Sequence, residues 1–361
     1  MAFKLSIYPW VHTAKYRNGK WEEEYIEKKH LTPEEESHLN EEEHHEIVNK
    51  RNHFDQFPLV NYTTQYGLGC FEGLKAYPQK DGSLKLFRPE KNCARMASSM
   101  KGLRMPPIDE KLLLKAIIET VKRNKDLGFT PSYSEEWEKD FWQSGGSVYI
   151  RPFSYSEPGI GISLSHEPWV VTICTTVSAY FTPGKNEAVT TDRIRATPNG
   201  TGWIKTSANY VTSILAKTEA AEQGYMEAIF LDSIHRENIE EGSSCNFFAL
   251  FPGGKLVTPA LKDTVLPGIT RESVMILAKD YGLEVSEEEL PVKKVLEEAE
   301  ECFVTGTAAG ITPIGSLTHK GRKSVFSSLK ENSISIQLLK KLKGIQYGAE
   351  KDKYGWMTEV I

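Results

Sequence analysis

The chain has 361 residues, with 44 Lys and Arg against 49 Asp and Glu and a formal net charge of −5. Such a balance supplies no sequence-wide basic field, which argues against nucleic acid as a partner. No apolar run approaches a membrane span, and the opening MAFKLSIYPWVHTAKYRNGK lacks the basic flank, long apolar core and small-residue cleavage site of a secretion signal, so a cytoplasmic protein is expected.

The length suggests two domains, each able to bury its own core. Cys70, Cys93, Cys174, Cys245 and Cys302 are scattered without a CxxC. That is the pattern of free thiols rather than of disulfides or zinc ligands. In chain order, Trp21–Arg51 comes first and is rich in charge. Thr32 with Pro33 and Glu35 reads as a helix start with a capping box. His38, His44 and His45 stand among glutamates, but there is no HExxH, and adjacent histidines face different ways on a helix. The segment reads as a solvated acidic face, and no metal is expected. In Val60–Tyr77, GLGCFEG has glycines spaced somewhat like a dinucleotide fingerprint. It lacks a convincing strand before it and an acidic residue at the expected distance after it, so that reading is set aside.

Leu84–Phe87 reads as a strand entered through an Asp81-Gly82 turn. Pro89 opens a helix carrying Arg95, which taken alone reads as surface charge, though an arginine can grip a phosphate with two bonds. Asp109–Gly128 is a helix whose Leu113, Ile117, Ile118 and Val121 form its buried face. In Ser144–Phe153 a turn leads into a strand where Tyr149 and Arg151 share one face and Val148 and Ile150 the other. Trp169–Val177 is a buried strand candidate. Turn residues in Tyr180–Lys185 then mark a boundary. The expected organisation is an α/β (α+β) chain with an N-terminal domain at 1–179, a linker at 180–190 and a larger domain at 191–361.

In the second half, Lys205 lies between the turn-rich Pro198–Gly202 and a helical pattern through Val211, Ile214, Leu215 and Thr218 that Gly224 stops. Taken alone, Lys205 reads as solvated surface charge, but burial lowers a lysine's pKa and a neutral amine can form a Schiff base. Strands follow at Glu227–Leu231, Cys245–Leu250, Leu256–Thr258, Leu283–Val285 and Glu301–Val304. Helices are expected at Ile269–Tyr281, Val292–Ala299 and Ser324–Lys343. Three further features suit one ligand together with Lys205. Glu241, in the loop IEEGSSCN, is a carboxylate at a strand edge that can hold a proton on a pyridine nitrogen. LPGITRES delivers the chain into a helix and leaves the N–H groups of Ile269 and Thr270 for a phosphate. The small residues of Gly306–Gly310 let a carboxylate reach the N–H groups of Thr307 and Ala308, and the Thr307 hydroxyl could reach a phosphate.

The segments QYGLGCFEGLKAY, FRPEKNCARM, VYIRPF, AYF, GTGWIKTSANY, EEGSSCNFF, LVTPALKDTVLPGITRESV and VTGTAAGITPIG occur in this order. By them the chain resembles the branched-chain aminotransferases of the fold-type IV pyridoxal 5'-phosphate (PLP) enzymes, from about Val60 to the C-terminus. The resemblance implies two domains with PLP in the cleft between them. It makes Lys205 the Schiff-base lysine, and puts Tyr210 near the phenolic oxygen and Glu241 on the pyridine nitrogen. Arg95, Ile269, Thr270 and Thr307 would hold the phosphate. Tyr66, Tyr149, Arg151 and Tyr180 would line the substrate pocket, with Thr307 and Ala308 receiving the α-carboxylate. The implied reaction moves an amino group between leucine, isoleucine or valine and 2-oxoglutarate, in a homodimer. The alternatives are a D-amino-acid aminotransferase or aminodeoxychorismate lyase of the same fold, or a non-catalytic binding protein on this scaffold.

Overall fold

The computed structural model describes residues 5–176, 186–308 and 310–360. They form two compact units. One comprises Met1–Ser178, Lys205–Ala208 and Ile345–Ile361, and the other Ala179–Ile204 and Asn209–Gly344. Lys205 therefore belongs to the first unit although the chain on either side of Lys205–Ala208 belongs to the second.

The first unit is built on an antiparallel seven-stranded sheet. Its order is Met357–Glu359, Leu84–Phe87, Leu74–Pro78, Val148–Tyr155, Trp169–Thr176, Trp10–Arg17 and Lys20–Glu27. The alternation read in Val148–Tyr155 is present: Val148 and Ile150 are buried, while Tyr149 and Arg151 point to the opposite face and are half-buried. The apolar face packs on the helices Pro89–Gly102 and Glu110–Asp126 through Met96, Met100, Leu113, Ile117 and Val121. The hairpin Trp10–Glu27 was concealed by the charges of Lys20–Glu27. Its signal was Asn18-Gly19, a two-residue turn with φ of 50° and 81°, the left-handed values that a type I′ turn requires. The Thr32–Glu35 capping box forms as expected, and Asn40 with Glu43 makes a second. All five cysteines are buried free thiols.

The second unit holds a mixed sheet with Asn246–Phe251 near its centre, paired to Lys255–Pro259 and Glu301–Gly306 along its length and to Asn238–Gly242 at Glu241. The stretch Asn238–Gly242, expected as loop, is a strand; it is buried on both faces, so no alternation betrayed it. The helix read through Val211, Ile214 and Leu215 forms as Tyr210–Glu222; those three residues are exposed, and the helix packs its small Ala216 and Ala220 against Ala228 and Phe230. Small residues let the helix lie close to the sheet. The last long helix spans Ile334–Gln346, while Arg322–Val325 is a strand. Its start is set from far away in the chain, because the Glu301 carboxylate accepts bonds from the backbone N–H groups of Ile334 (2.8 Å) and Ser335 (3.0 Å). Glu187–Thr190, inside the segment expected as linker, is a strand; Tyr180 and residues 181–185 lie outside the described residues.

One turn of this unit makes a pH-dependent contribution. Burial acts to raise the Asp232 carboxyl, but bonds from the N–H groups of Asn238, His235, Glu237 and Arg236 outweigh it and hold the carboxyl at about 2, below its ordinary 3.8. A depressed native value stabilises the fold above the unfolded value, and that contribution is lost as pH falls from about 4 to about 2. Denaturation midpoints across this window should drop more steeply for the wild type than for Asp232→Asn.

Candidate functional site

Lys205 enters the first unit through main-chain bonds. Its N–H donates to Ser99 Oγ (3.2 Å), its carbonyl accepts from the Phe71 N–H (3.1 Å), and the Thr206 hydroxyl donates to the Gly69 carbonyl (2.8 Å). The Lys205 amine stands over the Phe71 ring, 4.9 Å from its centroid. The Arg151 guanidinium lies 4.6 Å from the same ring. Arg151 Nη2 donates to the Tyr149 hydroxyl at 2.7 Å, so the two polar residues of that strand face act together. Arg151 Nε is buried without a hydrogen-bond partner among the described residues. Gly73 is required beneath them, because a Cβ there would collide with the Tyr149 hydroxyl.

Arg95 is not a surface charge. Its side chain is 11% exposed, and it grips the fully buried Glu72 with two bonds, Nε to Oε1 at 2.7 Å and Nη2 to Oε2 at 2.9 Å. Burial alone would raise the Glu72 carboxyl. The Arg95 guanidinium, the Lys205 ammonium and a bond from Asn92 Nδ2 (2.7 Å) together hold it below the usual range. Sequence reading missed Glu72, although it sits in the very GLGCFEG stretch whose glycines drew notice. Tyr66 stands apart from Arg151 in the hydrogen-bond pattern: its hydroxyl accepts from the Gly161 N–H at 2.9 Å.

The second unit gathers the remaining residues. Glu241, Asn246 and Thr305 lie in one row across three neighbouring strands. Just beyond Thr305 the chain turns through Thr307 and Ala308, both half-buried. Glu241 is buried and pairs with Arg195 Nη1 at 2.6 Å. Asn246 Nδ2 bridges the Glu241 carboxylate (3.2 Å) and the Leu266 carbonyl (2.9 Å). Those bonds tie the start of the helix Ile269–Asp280 to Glu241. That helix has Gly268 at its N-cap and no side-chain cap, and Ile269 and Thr270 are buried there. A side chain at 268 would strike Asn246 Oδ1. Ser243 Oγ and Thr305 Oγ1 are buried beside this row without a partner among the described residues. Tyr210 is half-buried at the first position of its helix. Tyr180 lies outside the described residues. Arg195 was also missed by sequence reading, since nothing local in RIRATPN distinguishes it from a solvated arginine.

Comparison with known proteins gives a consistent picture. Residues 69–317 match the family model for amino-transferase class IV. Branched-chain-amino-acid aminotransferase 2 of Bacillus subtilis (strain 168) is 38% identical over 304 residues, covering 82% of this chain and 80% of the relative. The chloroplastic branched-chain amino acid aminotransferase 2 of Humulus lupulus is 36% identical over 299 residues, covering 82% and 70%. Among solved structures, the branched-chain aminotransferase of Thermoproteus uzoniensis with norvaline superposes with a TM-score of 0.71 at 26% identity, covering 97% of this chain and all of that one. The PLP form of the Thermobaculum terrenum enzyme does so with a TM-score of 0.72 at 25% identity, covering 99% of both.

Proposed function

Because the chain belongs to the class IV aminotransferases, as a PLP-dependent transaminase of branched-chain amino acids, we propose that Lys205 is its Schiff-base lysine and the two residue groups described above hold cofactor and substrate. The observation that carries the assignment is the return of Lys205 to the first unit, its amine over Phe71 and its neighbour Glu72 locked to Arg95.

The residues suit PLP. An uncapped, buried helix start at Ile269 and Thr270 is a cradle for a phosphate. Thr307 and Arg95 supply a hydroxyl and a guanidinium for the same group. Glu241 is a buried carboxylate able to hold a proton on a ring nitrogen, with Tyr210 assigned to the phenolic oxygen. PLP, when bound, supplies an electron sink at the carbon that loses its proton. Lys205 would hold the group through its amine. The Lys205 amine would serve as the base that takes the substrate's α-proton and as the acid that gives a proton back. Tyr66 and Arg151 receive the distal carboxylate of glutamate, and with Tyr149 and Tyr180 they line the pocket for an aliphatic side chain. Thr307 and Ala308 bind the α-carboxylate through backbone N–H groups. Amino acids and 2-oxo acids are accordingly the substrates, with 2-oxoglutarate as amino acceptor.

We also propose a homodimer, consistent with the exposed Leu59, Ile160 and Ile162 of the first unit, and a cytoplasmic location. Among the described residues no helix is long and apolar enough to cross a membrane.

The visible spectrum of the purified protein tests the assignment. L-leucine should convert the absorption band of bound PLP to that of the pyridoxamine form, and 2-oxoglutarate should restore it. A band that ignores L-leucine but answers D-alanine or a chorismate-derived amine would replace the substrate. Absence of any band after PLP is added would point to a binding protein.

A further inference from the structure

The dipeptide Phe71-Glu72 joins Lys205 to Arg95. Phe71 donates its N–H to the Lys205 carbonyl and lies under the Lys205 amine. Glu72 donates its own N–H to the Pro152 carbonyl at 2.7 Å and turns its carboxylate to Arg95. The carboxylate is held on both oxygens: Arg95 takes Oε1 and Oε2, Asn92 Nδ2 reaches Oε2 at 2.7 Å, and the Gly73 N–H reaches Oε2 at 3.2 Å. Asn92 is itself anchored to the Gly73 carbonyl at 3.3 Å. It lies one helical turn before Arg95, so both side chains leave the same face of Pro89–Gly102.

We infer that Glu72 is a positioning residue that fixes the plane of the Arg95 guanidinium for a phosphate group. The inference rests on the reading of Arg95 as a phosphate partner. A guanidinium is a flat fork, and clamping its Nε and Nη2 edge sets the direction of the whole plane. The rotamer freedom of a long side chain is then surrendered on folding instead of on binding. Stability alone is a weak reason for such a pair, since desolvating two buried ions cancels most of their attraction. Two effects of Glu72 on a phosphate oppose one another. Its charge repels the phosphate, while its geometry aims the fork. The geometric effect dominates here. Without the carboxylate, the Nε and Nη2 donors of a nearly buried Arg95 lose the two oxygens that align that edge of the fork.

Charge and geometry separate by substitution. Glu72→Asp keeps the charge and withdraws the carboxylate by one methylene; Glu72→Gln keeps the size, removes the charge and turns an amide donor toward Arg95. Apoproteins of both, of Arg95→Gln and of the double variant Glu72→Gln with Arg95→Gln are titrated with PLP and with pyridoxal, following the absorption of the Schiff base. Pyridoxal lacks the phosphate, so the ratio of the two affinities isolates it and normalises any general loosening of the site. Both Glu72 variants should lower that ratio about tenfold or more, the scale of losing a side chain that orients a ligand's direct partner. Arg95→Gln should lower it at least as far, and the double variant no further. An unchanged or raised ratio for the Glu72 variants, with Arg95→Gln lowered, overturns the positioning role and leaves Arg95 as phosphate partner. An unchanged ratio for Arg95→Gln removes the reading on which the inference stands. Should Glu72→Gln fail to fold, Glu72→Asp alone decides the matter.

Discussion

Lys205→Ala should lose transamination by about 10³-fold or more, because one amine serves as covalent partner, base and acid. The same variant should stay folded. The bonds that hold this segment come from the main chain and from neighbours: Lys205 N–H to Ser99 Oγ, Phe71 N–H to the Lys205 carbonyl, and Thr206 Oγ1 to the Gly69 carbonyl. Truncating the side chain removes none of them. Half-reaction rates with L-leucine, read beside circular dichroism, separate the two claims. Appreciable turnover by the folded variant would show that another group carries the chemistry.

Arg195→Met should destabilise the apoprotein by about 3–5 kcal/mol, the size expected when one member of a buried ion pair is removed. Arg195 and Glu241 side chains are 6% and 4% exposed and meet at 2.6 Å. Arg195 also donates to the Thr264 carbonyl at 3.1 Å, fastening the segment before Leu266. Glu241 would lose its ion-pair partner while still buried, with bonds from Asn246 (3.2 Å) and the Leu266 N–H (3.4 Å) persisting. Urea unfolding of the apoprotein measures the loss, with an unchanged slope as the sign that the unfolded state is not involved. Adding Glu241→Gln to Arg195→Met should recover part of it, because the stranded charge is then gone. A change below about 0.5 kcal/mol would mean that solvent or a third group satisfies Glu241.

Features that depend on near neighbours in the chain were legible. The alternation of Val148–Tyr155, the Thr32–Glu35 cap, the helix at Asp109 and the uncapped start at Gly268 all follow from residue type and spacing over a few positions. The family, with its cofactor and reaction, was legible from eight short segments in order, because the chemistry demands particular residues at those points.

What the sequence by itself determined, then, was which elements form where periodicity is clear, and which chemistry the chain performs. Tertiary structure alone decided who pairs with whom. Arg95 reads as a surface charge until Glu72, on a segment 23 residues away, is folded against it. Arg195 is inconspicuous until it reaches Glu241, and the helix at Ile334 begins where a distant Glu301 caps it. Val211, Ile214 and Leu215 repeat at helical spacing yet lie outward, because close approach to the sheet selects Ala216 and Ala220. Periodicity records which positions resemble one another; loop closure and strand register determine what stands opposite, and neither is written in any short stretch of the chain.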